Sequence, residues 1–139
     1  LQGREHLTTI PSTKIAAEAA YKMAGITSKD VDFAEVHDCF TVAEVVDTED
    51  LGFFKKGTGA TAAQNGETKL NGSISINPSG GLKSKGHPIG ATGVGQIVEV
   101  FEQLTGQSGE RTVNDAKIGL TQNFGATGAS CAVHIFQSV

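Results

Sequence analysis

The chain has 139 residues, enough for one domain with a modest core, and nothing in its length calls for a second. Its 11 Lys and Arg against 15 Asp and Glu give a net charge of -4, and the basic residues are scattered, which argues against a nucleic-acid surface. No apolar run approaches the roughly 20 residues of a membrane helix, Leu1 to His6 does not resemble a signal peptide, and Cys39 and Cys131 are too few and too far apart for a disulfide framework. The expectation is a soluble, reduced, cytoplasmic protein without membrane contact. His6, His37, His87 and His134 combine with the two cysteines in neither CxxC nor HExxH spacing, so no metal or prosthetic group is expected. Without an initiating methionine, the chain reads as a fragment or a processed product.

In chain order, Ser12 is a candidate cap for a helix whose inward residues would be Ile15, Ala16, Ala19, Ala20 and Met23, with Gly25 as its left-handed stop. Val31 to Val36 reads as a strand after the turn Ser28-Lys29-Asp30. His37 then falls at the carboxyl end of that strand, where α/β sheets present ligand-binding residues. From Phe40 to Leu51 the spacing of Val42, Val45, Val46 and Leu51 predicts a helix packed on the sheet. Cys39 would lie near its amino end, either as a thiol made acidic by the helix terminus or as small core filler. Gly52 to Gly72, rich in glycine and without a period, reads as an exposed excursion.

Ser73 to Ile76 predicts a short strand. Asn77 to Gly93 is a glycine-rich loop, and Val94, Ile97, Val98, Phe101 and Leu104 follow at helical spacing. Pro88 fixes the backbone just past His87, which suits a held general base; the alternative is a solvent histidine on a flexible loop. Lys83 and Lys85 beside it either attract a phosphate-bearing ligand or serve solvation. After a stop at Gly106 and a polar connection over Gln107 to Asp115, the strand-like runs Ala116 to Thr121 and Ser130 to Phe136 form a closing hairpin, with Cys131 and His134 in structural roles. Helices and strands alternate, which is a layered α/β pattern.

Three segments carry a family resemblance. Gly86-His87-Pro88-Ile89-Gly90-Ala91-Thr92-Gly93 resembles the GHPxGxTG signature of thiolases. His37-Asp38-Cys39-Phe40 resembles the HDCF signature of the sterol carrier protein type and its archaeal relatives. Gln122-Asn123-Phe124-Gly125-Ala126-Thr127-Gly128 stands where the family has its last glycine-rich catalytic loop. The motifs keep family order and cover most of the chain.

The resemblance implies the C-terminal thiolase half-fold, a layered mixed five-stranded sheet with helices on its faces. The sheet would be four-stranded if Leu7 to Ile10, the only segment available for the first strand, does not form it. It also implies acyl transfer with carbon-carbon bond formation or cleavage on coenzyme A thioesters, as in acetyl-CoA acetyltransferase. His87 would activate a cysteine nucleophile, His37 would shape an oxyanion hole, and Cys39 would be the second acid/base. Gly125 and Asn123 would lend oxyanion-hole or loop support. The family's late CxG cysteine is missing, which moves acid/base duty to Cys39. The nucleophile and most of the coenzyme A site lie in the N-terminal half, so the expected partners are acyl-CoA, that half and, in the complete enzyme, further copies of itself. This chain alone is expected to be inactive. The alternatives are a non-catalytic interaction domain of thiolase fold and part of a retro-aldol lyase acting on a CoA ester.

Overall fold

The computed structural model describes residues 6–138. Helix α1 (Pro11–Ala24) leads to strand β1 (Phe33–Glu35), followed by α2 (Thr41–Asp50), α3 (Gly59–Gln64) and β2 (Ser75–Ile76). The five-residue α4 (Gly81–Lys85), α5 (Thr92–Leu104), β3 (Ile118–Gly125) and β4 (Ser130–Gln137) complete the chain. The four strands form one mixed sheet in the order β2-β1-β3-β4. β1 runs parallel to β2 and β3, and β4 returns antiparallel on β3.

Each face of the sheet has its own core. On one side Ala34, Val36, Ile76 and Leu120 pack with Ala17, Leu51 and Tyr21 from the region of α1 and α2. On the other, Phe33 packs with Val100 of α5 and Val113. Strand alternation sorts β3 accordingly. Gly119 lies so close to Phe33 and Val100 that a Cβ would collide with them, and Asn123 bonds Gln96 of α5. The intervening Gln122 points instead toward Thr13 of α1 and Asp47 of α2.

Several sequence expectations are corrected by this packing. Leu7 and Thr8 form a turn rather than a strand, so the four-stranded alternative holds among the described residues. Ile10 is drawn to α2 instead: its N–H donates to Asp50 Oδ2 at 2.6 Å and its side chain joins Ala43 and Phe124. The cap of α1 is Ile10, with Pro11 at the first helical position, where a missing N–H costs nothing. Ser12 Oγ donates to Gly128 O, tying α1 to the β3-β4 turn. The inward residues of α1 are Thr13 and Ala17, whereas Ile15 and Met23 are exposed. Gly25 closes the helix at φ 71 as expected. The Gly52–Gly72 stretch is anchored: it contains α3, Glu49 Oε1 accepts the Gly59 N–H, and Phe53 and Phe54 pack on the core.

Helix α5 presents its polar side to its own sheet. Gln96, Glu99 and Gln103 are buried, while Val94, Ile97, Val98 and Phe101 are 62, 39, 49 and 58 % exposed. The buried polar groups are paired. Gln96 donates to the carbonyls of Glu35 and Gln122, Gln103 bonds the backbone of Arg111 and Val113, and Glu99 holds Arg111 at 3.0 Å. The exposed stripe is a contiguous apolar surface of the kind that seeks a partner. We therefore expect the purified chain to self-associate at micromolar concentration, and Phe101→Glu to return it to monomer with less than about 0.5 kcal/mol change in stability. Sedimentation velocity and denaturant unfolding of the two proteins check this; a monodisperse native monomer would refute it.

Candidate active site

The HDCF segment leaves the carboxyl end of β1 and the GHP loop leaves α4, and their histidines meet. The His37 and His87 ring centroids are 4.9 Å apart at an interplanar angle of 80°, and His37 also lies 4.5 Å from the Phe124 ring. His37 is 5 % exposed, whereas His87 is exposed on its loop. Burial first, and then the charge of His87, hold the His37 imidazole below the usual range against the opposing pull of Asp38, so His37 is neutral at pH 7.

His87 is held by one short contact. Its Nδ1 lies 2.7 Å from Thr92 Oγ1, and that hydroxyl donates to Pro88 O at 3.2 Å. With the hydroxyl proton on Pro88 O, Thr92 Oγ1 accepts from His87 Nδ1–H, the tautomer in which the Nε2 lone pair is free. A histidine in that tautomer is prepared to accept a proton at Nε2.

The loop between β2 and His87 is moored by buried carboxylates. Asp38 Oδ1 accepts the Leu82 N–H at 2.7 Å, and its Oδ2 faces Lys83 Nζ at 3.4 Å. Gly81, at φ 66, lies against this carboxylate, and a Cβ there would overlap it. Glu35 accepts the Ser79 N–H and hydroxyl at 3.0 and 2.7 Å and lies 3.6 Å from Lys85 Nζ. Both lysines of the loop thus face internal carboxylates rather than standing free for a phosphate. Burial still pushes the Glu35 carboxyl up, against these donors.

Cys39 is half-buried and packs against the cluster of Ile10, Ala43 and Phe124, the last of which also touches His37. The acidic thiol expected from a helix terminus is not found. Burial pushes the Cys39 thiol up, with the Phe40 backbone N–H and then the Asp47 carboxyl as smaller opposing and reinforcing influences. Cys131, opposite Phe124 in the hairpin, is 3.7 Å from Thr13 Oγ1 and is likewise pushed up by burial. Gln122 to Gly125, expected in a loop, belongs to β3, because its alternate residues have sheet faces to fill. Asn123 Nδ2 is spent on Gln96 Oε1 at 3.1 Å, and Gly125 ends the strand, where a Cβ would meet Ser130 Oγ at 2.7 Å. No contact joins Gly125 to the histidine pair among the described residues. No group of three His, Cys, Asp or Glu suited to a metal occurs among them either.

The residues that sequence reasoning missed are the polar supports: Thr92, Asp38, Glu35, Asn77, Gln96 and Gln122. Asp38, Thr92 and Gln122 lie inside the recognised motifs, and that was their only signal. Glu35, Asn77 and Gln96 lie outside them, and a polar side chain reads as surface until its partner is known.

Comparison with known proteins decides the family. A family model described as Thiolase C-terminal domain-like matches residues 1–138. The chain belongs to the thiolase C-terminal domain family. It is 51 % identical over 136 residues to an acetyl-CoA acetyltransferase of Methanothermobacter thermautotrophicus, covering 98 % of this chain and 36 % of that protein. To sterol carrier protein 2 of Homo sapiens it is 46 % identical over 117 residues, covering 84 % of this chain and 21 % of that one. The fold recurs at a TM-score of 0.83 and 22 % identity in a chain of an Ltp2-ChsH2(DUF35) aldolase structure, covering 99 % of this chain and 35 % of the other. The thiolase domain described here thus spans about a third or less of the length of these proteins.

Asp47 sets a pH dependence. It is fully buried, and burial pushes its carboxyl up to about 8, against the Thr13 hydrogen bond. An unfolded-chain Asp releases its proton near pH ~3.9, so between the two values the folded state binds the extra proton. The stability this group contributes is full below about pH 4 and is lost as pH rises toward about 8. Asp47→Asn has no such proton. The variant should gain on the native chain by about 1 kcal/mol per pH unit across that window. Denaturant melts at pH 5 and pH 8 measure the difference; a native chain that gains on the variant would reverse the sign.

Proposed function

We propose that this domain supplies the acid/base and oxyanion half of a thiolase that transfers acyl groups between coenzyme A thioesters, with the nucleophilic cysteine and much of the coenzyme A site in an N-terminal half. The observation that carries the reading is the His37–His87 pair, one ring neutral and buried, the other with Nδ1 tied to Thr92 and Nε2 free. Two motifs far apart in sequence converge there, in a chain whose relatives include proteins named acetyl-CoA acetyltransferase.

In this mechanism His87 Nε2 takes the proton of the nucleophilic thiol as the thiolate attacks the acyl-CoA carbonyl; coenzyme A thiolate leaves and is protonated, and an acyl-cysteine remains. A His37 ring N–H stabilises negative charge developing on a thioester oxygen. Cys39, its thiol pushed up, is protonated at pH 7 and so enters as the acid. In cleavage of a 3-oxoacyl-CoA it gives its proton to the α-carbon of the departing acyl-CoA. In condensation Cys39 first releases its proton to solvent, and its thiolate removes the α-proton of the second acyl-CoA; the carbanion attacks the acyl-cysteine, the new carbon-carbon bond displaces the enzyme cysteine, and Cys39 returns the proton to it. Asn123 and Gly125 support the loop side of this site. The apolar stripe of α5 is where the N-terminal half docks, and the complete enzyme is a homo-oligomer.

The chain alone should show no turnover of acetoacetyl-CoA. In a complete enzyme containing this domain, His87→Ala should slow burst acylation by about 10²- to 10⁴-fold. Cys39→Ala should instead leave acylation nearly intact and lower α-proton exchange of acetyl-CoA in deuterated water by a similar factor. Unchanged proton exchange in Cys39→Ala would remove Cys39 from the mechanism.

A further inference from the structure

Among the described residues, two buried side-chain atoms lack a hydrogen-bond partner: His37 Nδ1 and Asp47 Oδ2. One amide links their residues. Gln122, fully buried in β3, accepts the His37 backbone N–H at Oε1 over 2.9 Å. Through Nε2 it donates to Asp47 Oδ1 and Thr13 Oγ1, each at 2.9 Å. The last rung between β1 and β3 pairs Glu35 with Thr121, so the His37 N–H lies beyond the ladder, and the Gln122 side chain takes it instead.

We propose that Gln122 is a positioning residue for the His37–His87 pair, with Asp47 and Thr13 fixing the orientation of its amide. A glutamine amide has one oxygen to accept and one nitrogen to donate, and a flipped amide would set its NH₂ against the His37 N–H. Thr13 Oγ1 donates its only proton to Asp47 Oδ1 at 3.0 Å, so at that hydroxyl only lone pairs remain for Gln122 Nε2. Asp47 Oδ1 accepts from both. With Thr13 donating to Asp47 Oδ1, the near end of the amide is the donor and its far end the acceptor toward the His37 N–H. α1, α2 and β3 thus converge on one contact that holds the backbone of the residue whose ring meets His87 and Phe124. The consequence for rate rests on the thiolase reading of the pair. The positioning itself does not.

The test follows the imidazole NMR titrations and the His37–Phe124 ring contacts in the chain as it stands. In the native chain His37 titrates below the ordinary histidine range, for the reasons of burial and His87 charge given above. Gln122→Leu should let the ring move, returning its titration toward about 6.5 and weakening the Phe124 cross-peaks. Asp47→Leu should do the same, while Asp47→Asn, which keeps an acceptor oxygen for Gln122, should leave both signals native. Val133→Ala removes packing on the same face of the sheet and should lower Tm without moving either histidine signal. A folded Gln122→Leu with native His37 titration and native Phe124 contacts would overturn the proposal. If Gln122→Leu does not fold, the two Asp47 variants decide: identical His37 signals overturn it, and divergent ones support it. In the complete enzyme, Gln122→Leu should lower kcat about tenfold with KM little changed. Shifted histidines with unchanged turnover would leave the positioning standing and count against the catalytic reading of the pair.

Discussion

The constraint on which the site depends is the end of the parallel ladder after Glu35. A site at the carboxyl end of a sheet needs its central strand to leave its neighbours, and that leaves backbone groups beyond the ladder to be satisfied in a buried place. An unpaired buried N–H or C=O costs about 1 to 3 kcal/mol. Here side-chain amides take over from the strands. Asn77 Oδ1 accepts the Val36 N–H at 2.8 Å, Gln122 Oε1 accepts the His37 N–H, and Gln96 Nε2 serves the carbonyls of Glu35 and Gln122. Asn77 itself takes a left-handed backbone at φ 50, which asparagine tolerates better than most residues. The sheet is continued for one or two residues by side chains, and the last residue so held is His37.

A second layer follows from the first. With Val36 and His37 fixed, Asp38 is turned inward against the start of α4, and Glu35 reaches Ser79, so two carboxylates three positions apart hold both flanks of Gly80 and Gly81. Charge-assisted bonds of this kind are worth roughly twice neutral ones. Lys83 and Lys85, each about two-fifths exposed, add modest Coulomb support. Gly81 has no room for a Cβ because its backbone lies against Asp38, and the loop is held because each carboxylate is itself buried. His87 is thus carried on an ordered loop even though its ring is open to solvent.

Helix α5 divides its surface between a polar face turned inward and an apolar stripe turned outward. Its polar face is satisfied by the backbone of its own domain and by Arg111, and Val100 packs on Phe33, while among the described residues nothing fully covers Val94, Ile97, Val98 and Phe101. For an isolated globule this arrangement is backwards, because exposed Val, Ile and Phe gain nothing from solvent. The docking proposed above for an N-terminal half would cover this face, and the chain spans about a third of the acetyl-CoA acetyltransferase it resembles.

What the sequence determined was local and chemical. Period and punctuation located α1, α2, α5 and the closing hairpin, Gly25 marked a helix end, and the HDCF and GHP segments picked out His37 and His87, whose rings meet, and Cys39, which packs on Phe124 beside them. Only the tertiary structure decided which face of each helix turned inward. Ile15 and Met23 of α1 and the stripe of α5 form regular apolar patterns, yet a pattern records a buried face without naming the body that buries it. The structure alone also decided that Gln122 to Phe124 is strand, that burial pushes the Cys39 thiol up, and that Ile10 docks on α2 through Asp50. In each case the deciding quantity is a contact between distant segments, such as Gln122 with Asp47 or Ile10 with Asp50. Desolvation and hydrogen-bond pairing are properties of those contacts, so no window of sequence contains them.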